Sequence, residues 1–334
     1  MMTQWTILPM AAGSTTLHTT KSHDPFDFSF CWVLSVKTAC YNQLSCIVVG
    51  KLKFGTEWLV DLPHLEELVS CGPSMRLKNQ HILITGSTTG IGEFMARRFV
   101  EEGAKVILHG RNTKRGEALR VELGEDSAAF CRGDLGDPKG LERLAKEALE
   151  AFGQIDVLVN NAALTNRGKI EETDAAFFDR IISVNTRAPL LLTRALMPEL
   201  KRTRGCVLNI GSVLAHCGQA NLLAYAVSKG GLMTMTRNLA DAHGQDGVRF
   251  NQLNVGWTLT DNEYKVKMGD GLPADWPDNV PAYANPFGRL IKPEEIATAA
   301  VYWVSRESFP ISGTIAELEQ YPLIGRYTNH EGEE

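Results

Sequence analysis

His81-Ile-Leu-Ile-Thr85-Gly-Ser-Thr-Thr-Gly90-Ile-Gly92 is the stretch whose reading decides the fold. Its apolar opening reads as a buried strand. Gly86, Gly90 and Gly92 follow at once, and an amphipathic segment from Ile91 to Glu102 reads as a helix. Glycines let a backbone close in on a pyrophosphate, and the start of a helix favours its negative charge. Strand, glycine turn and helix start are the context such a site needs. The spacing Gly-x-x-x-Gly-x-Gly departs from the commoner Gly-x-Gly-x-x-Gly, and a glycine loop alone is also a tight turn.

Working outward, further apolar runs read as strands at 105–109, 127–131, 156–160, 205–211, 248–254 and 313–317. Helical patterns alternate with them at 138–152, 174–200, 222–243 and 293–305. Pro138 and Pro293 sit where a first helical turn welcomes proline. Strand-helix alternation implies parallel strands joined by right-handed crossovers. The fold class expected is therefore α/β, a three-layer, doubly wound, mostly parallel Rossmann-like sheet.

A second cluster carries proton chemistry. Tyr225 and Lys229 stand four residues apart, about one helical turn, so they share a helix face. A free tyrosine has a pKa of ~10, and a neighbouring positive charge favours the phenolate. Ser212, thirteen residues before the tyrosine, has a hydroxyl that donates and accepts. It can steady a substrate oxygen while Tyr225 moves a proton. Tyr-x-x-x-Lys alone is common on surface helices; its company gives it weight.

Taken together, these motifs resemble the short-chain dehydrogenase/reductase family, of the compact single-domain type, from about Arg76 to about Glu319. Thr85 to Gly92 matches the family's Thr-Gly-x-x-x-Gly-x-Gly loop. Asp134 in Gly133-Asp-Leu135 matches its adenine-side acid. Asn160-Asn-Ala-Ala163 matches Asn-Asn-Ala-Gly, with Ala163 in place of glycine. Asn185, Ser212, Tyr225 and Lys229 match its catalytic tetrad in order and interval. The resemblance implies that Tyr225 is the general acid/base and Ser212 binds the reacting oxygen. Lys229 would lower the tyrosine pKa and hold the nicotinamide ribose, while Asn185 would hold a relay water. It also implies cofactor contacts from Gly86, Ser87, Thr88, Gly90, Ile91, Gly92, Asp134, Leu135, Asn161, Ala162, Tyr225 and Lys229. Gly256, Thr258 and Thr260 would cover the nicotinamide.

Charge argues the choice of cofactor. An acid at the end of the strand Lys105–His109 would bind a ribose 2′-hydroxyl and repel a 2′-phosphate. None stands there; Gly110-Arg-Asn112 follows. The planar fork of Arg111 suits a phosphate, so NADP is expected ahead of NAD. The activity implied is hydride transfer between nicotinamide and the carbonyl or alcohol carbon of a small substrate. An NAD-linked sugar or polyol dehydrogenase is the alternative, and a dinucleotide-sensing regulator a remote one.

Between Asn254 and Arg289 the resemblance places a lid. Val255 departs from its usual Pro-Gly. Trp257, Tyr264, Trp276 and Tyr283 stand there among Asp261, Glu263, Asp270, Asp275 and Asp278. Aromatic faces with acids suit a polyhydroxylated substrate, so Trp257 and Trp276 are substrate candidates, with His216 near the serine. The same residues also suit a lid that packs its aromatics and wets its acids. Glu317-Leu-Glu-Gln-Tyr-Pro322 replaces the usual Asp-Gly-Gly ending. In related tetramers this end lies at an interface, so a homodimer or homotetramer is expected.

Composition bounds the rest. The chain has 334 residues and a formal net charge of −5, which implies no nucleic-acid surface and no anionic-membrane surface. Seven cysteines without a Cys-x-x-Cys pair indicate neither a metal site nor a disulfide framework. Residues 75–325 form the expected domain and 326–334 a tail. Residues 1–74 differ in kind: they hold no arginine, yet include Cys31, Cys40, Cys46 and Cys71. They lack the basic n-region of a signal peptide and the arginines of a mitochondrial presequence, and Cys31 to Gly50 is too interrupted to span a membrane. The expectation is a disordered appendage or gene-model extension, with a structured accessory domain as the alternative, on a cytoplasmic protein.

Overall fold

The computed structural model describes residues 15–20, 30–36, 45–51, 53–54, 57–58, 75–282 and 284–323. The chain divides into two units, Met1–Ser74 and Met75–Glu334. In the first, strands β1 (Thr15–Thr20), β2 (Phe30–Val36) and β3 (Ser45–Lys51) pair antiparallel in the order β1-β2-β3, and β4 (Lys53–Phe54) pairs with β5 (Glu57–Trp58). No strand period marks these segments in the sequence, where a disordered appendage or gene-model extension was expected and a structured accessory domain was the alternative.

The second unit holds seven parallel strands: β6 (His81–Ile84), β7 (Lys105–Gly110), β8 (Ala128–Arg132), β9 (Val157–Asn160), β10 (Cys206–Ser212), β11 (Arg249–Val255) and β12 (Ile315–Leu318). Their order is β12-β11-β10-β9-β6-β7-β8. The order turns back between β6 and β9, and loops at such a reversal open a crevice for ligands at the carboxyl ends of the strands.

Helices cover both faces. On one lie α1 (Gly90–Glu101), α2 (Thr113–Leu123) and α8 (Pro293–Val304), burying Met95, Phe99, Leu119 and Val301 against Ile82, Ile84, Val106 and Leu108. On the other lie α3 (Pro138–Phe152), α5 (Ala188–Thr203) and α6 (Leu223–His243), burying Leu141, Leu144 and Leu192 against Leu83, Ile107 and Leu158. Successive strand residues point to opposite layers, so a strand buried on both sides is apolar throughout. Phe99 is fully buried; truncating such a ring to alanine costs about 3–5 kcal/mol.

The expected helix at 174–200 runs without a gap but changes winding midway. It is α4 (Ala175–Ile182), a π-turn over Ser183–Arg187, and then α5. Within the lid, α7 (Asp261–Gly269) is a helix that periodicity had not marked. Tyr283 and residues 324–334, with most of 1–74, lie outside the described residues.

A buried polar row ties three strand ends to α6. Asn160 Nδ2 donates to Asn209 Oδ1 at 2.8 Å, and Asn209 Nδ2 donates to Thr236 Oγ1 at 2.8 Å. Thr236 Oγ1 meets Gln252 Oε1 at 3.0 Å, and Gln252 Nε2 donates to Asn254 Oδ1 at 2.7 Å. The bonds along this row help fix the register of the elements they join, although Asn160 Oδ1 and Asn254 Nδ2 at its two ends are buried without a partner.

Candidate active site

The glycine loop follows β6 as expected. Gly86 and Gly90 have φ of 64° and 57°, where a side chain is strained. A Cβ on Gly86 would stand 2.9 Å from Ala162 Cα, and one on Gly92 would collide with Gly86 O and Asn161 Nδ2. Asn161 Nδ2 donates to Thr85 O at 2.9 Å and to Gly86 O at 3.1 Å. Thr85 Oγ1 accepts from the amides of Asn161 and Ala162. The loops after β6 and β9 are therefore laced together. Ser87 is buried, and Thr88 packs where a Cβ on Gly110 would sit.

A groove of about 1150 Å³ runs along these loops. Gly86, Thr88, Gly90 and Ile91 line one stretch; Asp134, Leu135, Asn161, Ala162 and Thr260 line others. Arg111 and Arg115 lie on its rim, both exposed, and neither guanidinium has an ion-pair or hydrogen-bond partner among the described residues. Arg97, also in the groove, is already held by Glu93 and Glu122. Arg115 was missed in the sequence because α2 was not read as a helix. With that helix in hand, its place one turn beyond Arg111 follows.

At the carboxyl end of β10, Ser212 is buried, its Oγ accepts from Leu214 N at 3.2 Å, and its hydroxyl acts to lower the pKa of the Tyr225 phenol. Lys229 Nζ donates to Ile210 O at 2.7 Å and lies 5.7 Å from the centre of the Tyr225 ring. Burial pulls the lysine down to about 8. Burial also pushes Tyr225 up, against the Ser212 hydroxyl, and the Glu263 charge adds to the rise. Lys229 is not among the groups that set the direction of this shift. Asn185 sits in the π-turn. Its Nδ2 donates to Leu164 O and to Ser228 Oγ, each at 3.0 Å, and its Oδ1 accepts from Leu164 N at 2.7 Å. Single-turn π-bulges are frequent at functional sites. This one turns Asn185 into the space between the β9 loop and the Tyr225 helix.

The lid begins at Gly256, where a Cβ would collide with the Glu319 carboxylate. Thr258 is buried, its hydroxyl donating to Gly256 O at 3.1 Å. Thr260 caps α7 by accepting from Glu263 N at 3.1 Å, and its methyl lies near Gly90. The aromatic residues face each other. Trp257 and Trp276 stack with centres 5.6 Å apart, and Tyr264 flanks Trp276 at 6.3 Å. Trp276 is only 3% exposed. Its ring packs between Trp257 and Tyr264. Trp257 is half-buried and donates from Nε1 to Glu263 Oε1 at 3.0 Å. Arg167, from the β9 loop, pairs with Asp270 at 3.1 Å and reaches Glu263 at 4.0 Å. His216 Nε2 lies 2.9 Å from Glu317 Oε1 beside the β12 edge, out of line for a good hydrogen bond.

Known proteins share this arrangement. The short chain dehydrogenase family pattern matches residues 80–270. The chain is 32% identical over 237 residues to L-fucose dehydrogenase of Mus musculus, across 70% of this chain and 85% of that one. It is 30% identical to meso-2,3-butanediol dehydrogenase of Serratia marcescens, across 78% of this chain and 98% of that one. The crystal structure of 3-ketoacyl-(acyl-carrier-protein) reductase from Brucella melitensis, complexed with NADH, superposes with a TM-score of 0.65 at 31% identity, covering 72% of this chain and 97% of that one. Likeness of this extent makes the chain a member of the short chain dehydrogenase family, an oxidoreductase that works with a nicotinamide dinucleotide on alcohol or carbonyl carbons.

Proposed function

We propose that this protein is an NADP-preferring alcohol dehydrogenase or carbonyl reductase of small substrates, with Tyr225 as its general acid/base. The observation that carries the reading is the gathering of buried Ser212 and Lys229 around Tyr225, with Lys229 Nζ 5.7 Å from the tyrosine ring, at the carboxyl ends of the strands. The groove fits a dinucleotide: its walls are backbone that no Cβ obstructs at Gly86 and Gly92. When bound, the nicotinamide supplies or accepts the hydride.

The chain's own residues handle the proton. Ser212 Oγ holds the substrate oxygen and Tyr225 gives that oxygen a proton in reduction or removes one in oxidation. Lys229 places a positive charge behind the phenol. Asn185, fixed from three sides, orients the turn between the β9 loop and α6. Arg111 and Arg115 supply unpaired cations for a 2′-phosphate, which supports NADP.

A sugar or polyol substrate is the second reading. The Glu263 carboxylate, whose charge acts on Tyr225, favours it as a hydroxyl acceptor. A homo-oligomer is supported by the exposed apolar residues Leu190 on α5 and Val227 on α6. A cofactor-coupled screen of sugars, polyols, ketones and steroids with NADP(H) and NAD(H), followed at the nicotinamide absorbance, tests the whole reading. No turnover of any class with either cofactor defeats it.

A further inference from the structure

We propose that His109 is a positioning residue of the cofactor groove: a neutral imidazole that holds the glycine loop in its binding shape by accepting from the first glycine. The inference rests on the reading of that groove as a dinucleotide site.

His109 ends its strand next to the groove and is 2% exposed. Three hydrogen bonds join it to the glycine loop. Gly86 N–H donates to Nδ1 at 3.2 Å. His109 N–H donates to Ser87 Oγ at 2.9 Å, and Ser87 N–H donates to His109 O at 3.0 Å. The far edge of the ring faces the opposite wall, where a Cβ on Gly133 would lie 3.1 Å from Nε2. Gly133 opens the Asp134-Leu135 segment, whose amide bonds back to Gly110 O at 3.3 Å. One ring thus spans the loop for the pyrophosphate and the wall for the adenosine end.

The chemistry fixes the ring's state. An amide N–H needs a lone pair, and only a neutral imidazole offers one at Nδ1. That leaves the proton on Nε2. A charged ring would set N–H against N–H at Gly86. Burial holds the histidine down, to about 4; the Gly133 backbone and the Asp134 charge oppose this without overcoming it, and the Arg111 charge adds to it. Cys131, its register partner on β8, is pushed up to about 11 by burial and stays a neutral thiol. The glycine loop itself brings no titratable group. At neutral pH the ring is therefore a fixed acceptor.

The test uses the full chain and titration calorimetry with NADP⁺ at pH 7.5, on wild type and on His109→Asn, His109→Gln and His109→Leu. Asn places an oxygen where Nδ1 stands; Gln places its amide near Nε2; Leu accepts nothing. Asn is expected to bind within about threefold of wild type, and Gln and Leu at least about tenfold more weakly, as a lost acceptor for a buried amide implies. Nitrogen NMR of the wild type should show an unprotonated Nδ1. Since leucine in a polar site can unfold a chain, the Asn and Gln pair, of matched polarity, decides. Gln binding as tightly as Asn, or a protonated Nδ1, overturns the inference. Wild type binding neither NADP⁺ nor NAD⁺ would instead overturn the groove reading and this inference with it.

Discussion

At the scale of single residues, the pKa shifts give the chemistry a direction. Tyr225 is raised, chiefly by burial, so it holds its proton at neutral pH and is ready to donate in reduction. Lys229, lowered to about 8, carries its charge below that pH and loses it above. The rate of carbonyl reduction should therefore be level up to about pH 8 and fall beyond it, and Lys229→Met should remove that limb; a pH–rate profile of both proteins checks this. Tyr225→Phe should lower turnover by roughly 10²–10⁴-fold with the NADP⁺ dissociation constant nearly unchanged. Wild-type turnover in that variant would refute the role. Arg111→Asp should weaken NADP⁺ far more than NAD⁺, because it sets a carboxylate where a phosphate partner stood; dissociation constants for both cofactors measure it, and equal losses would show that Arg111 does not read the phosphate. The tetrad was legible in the sequence because four residue types at fixed intervals carry it. The direction of the tyrosine shift was not, because burial depends on what the lid and sheet place around it.

At the scale of elements, the lid is where pattern reading gave least. Its helix, Asp261–Gly269, has no buried side chain and is started by the Thr260 cap rather than by an apolar stripe, so periodicity had nothing to detect. The change of winding at Ser183–Arg187 was equally silent, since a π-turn inserts no proline or glycine. Strands β6, β7 and β9, by contrast, were readable to within a residue or two, because strands buried on both faces leave near-continuous apolar runs. The stacking of Trp257, Trp276 and Tyr264 favours the packing use of the lid aromatics. Trp276→Ala removes a buried ring from a small packed cluster, so the closed lid becomes harder to reach. The expected outcome is a parallel fall in kcat/KM, about tenfold or more, for polar and apolar substrates alike. A loss confined to sugars or polyols would restore Trp276 as a substrate platform.

At the scale of the whole molecule, the boundary at Met75 was legible from composition, while the strand pairing within Met1–Ser74 was not. All the residues brought together at the candidate site belong to Met75–Glu334. A chain started at Met75 should therefore keep the turnover and the NADP⁺ affinity of the full chain, within about twofold; a larger loss would give the first 74 residues a part in the chemistry. The order of the seven strands has a consequence for how such a chain is made. Ile82 needs Val106 on one side and Val157 on the other, and no neighbour of β6 follows it through a hairpin. During synthesis β6 waits with one edge bare until β9 has left the ribosome, and loop closure over that span is slow. The glycine loop, though among the first parts of the domain to be made, takes its final shape only when Asn161 arrives to bind it. Nascent chains halted before Val157 carry an open strand edge that invites pairing with other chains.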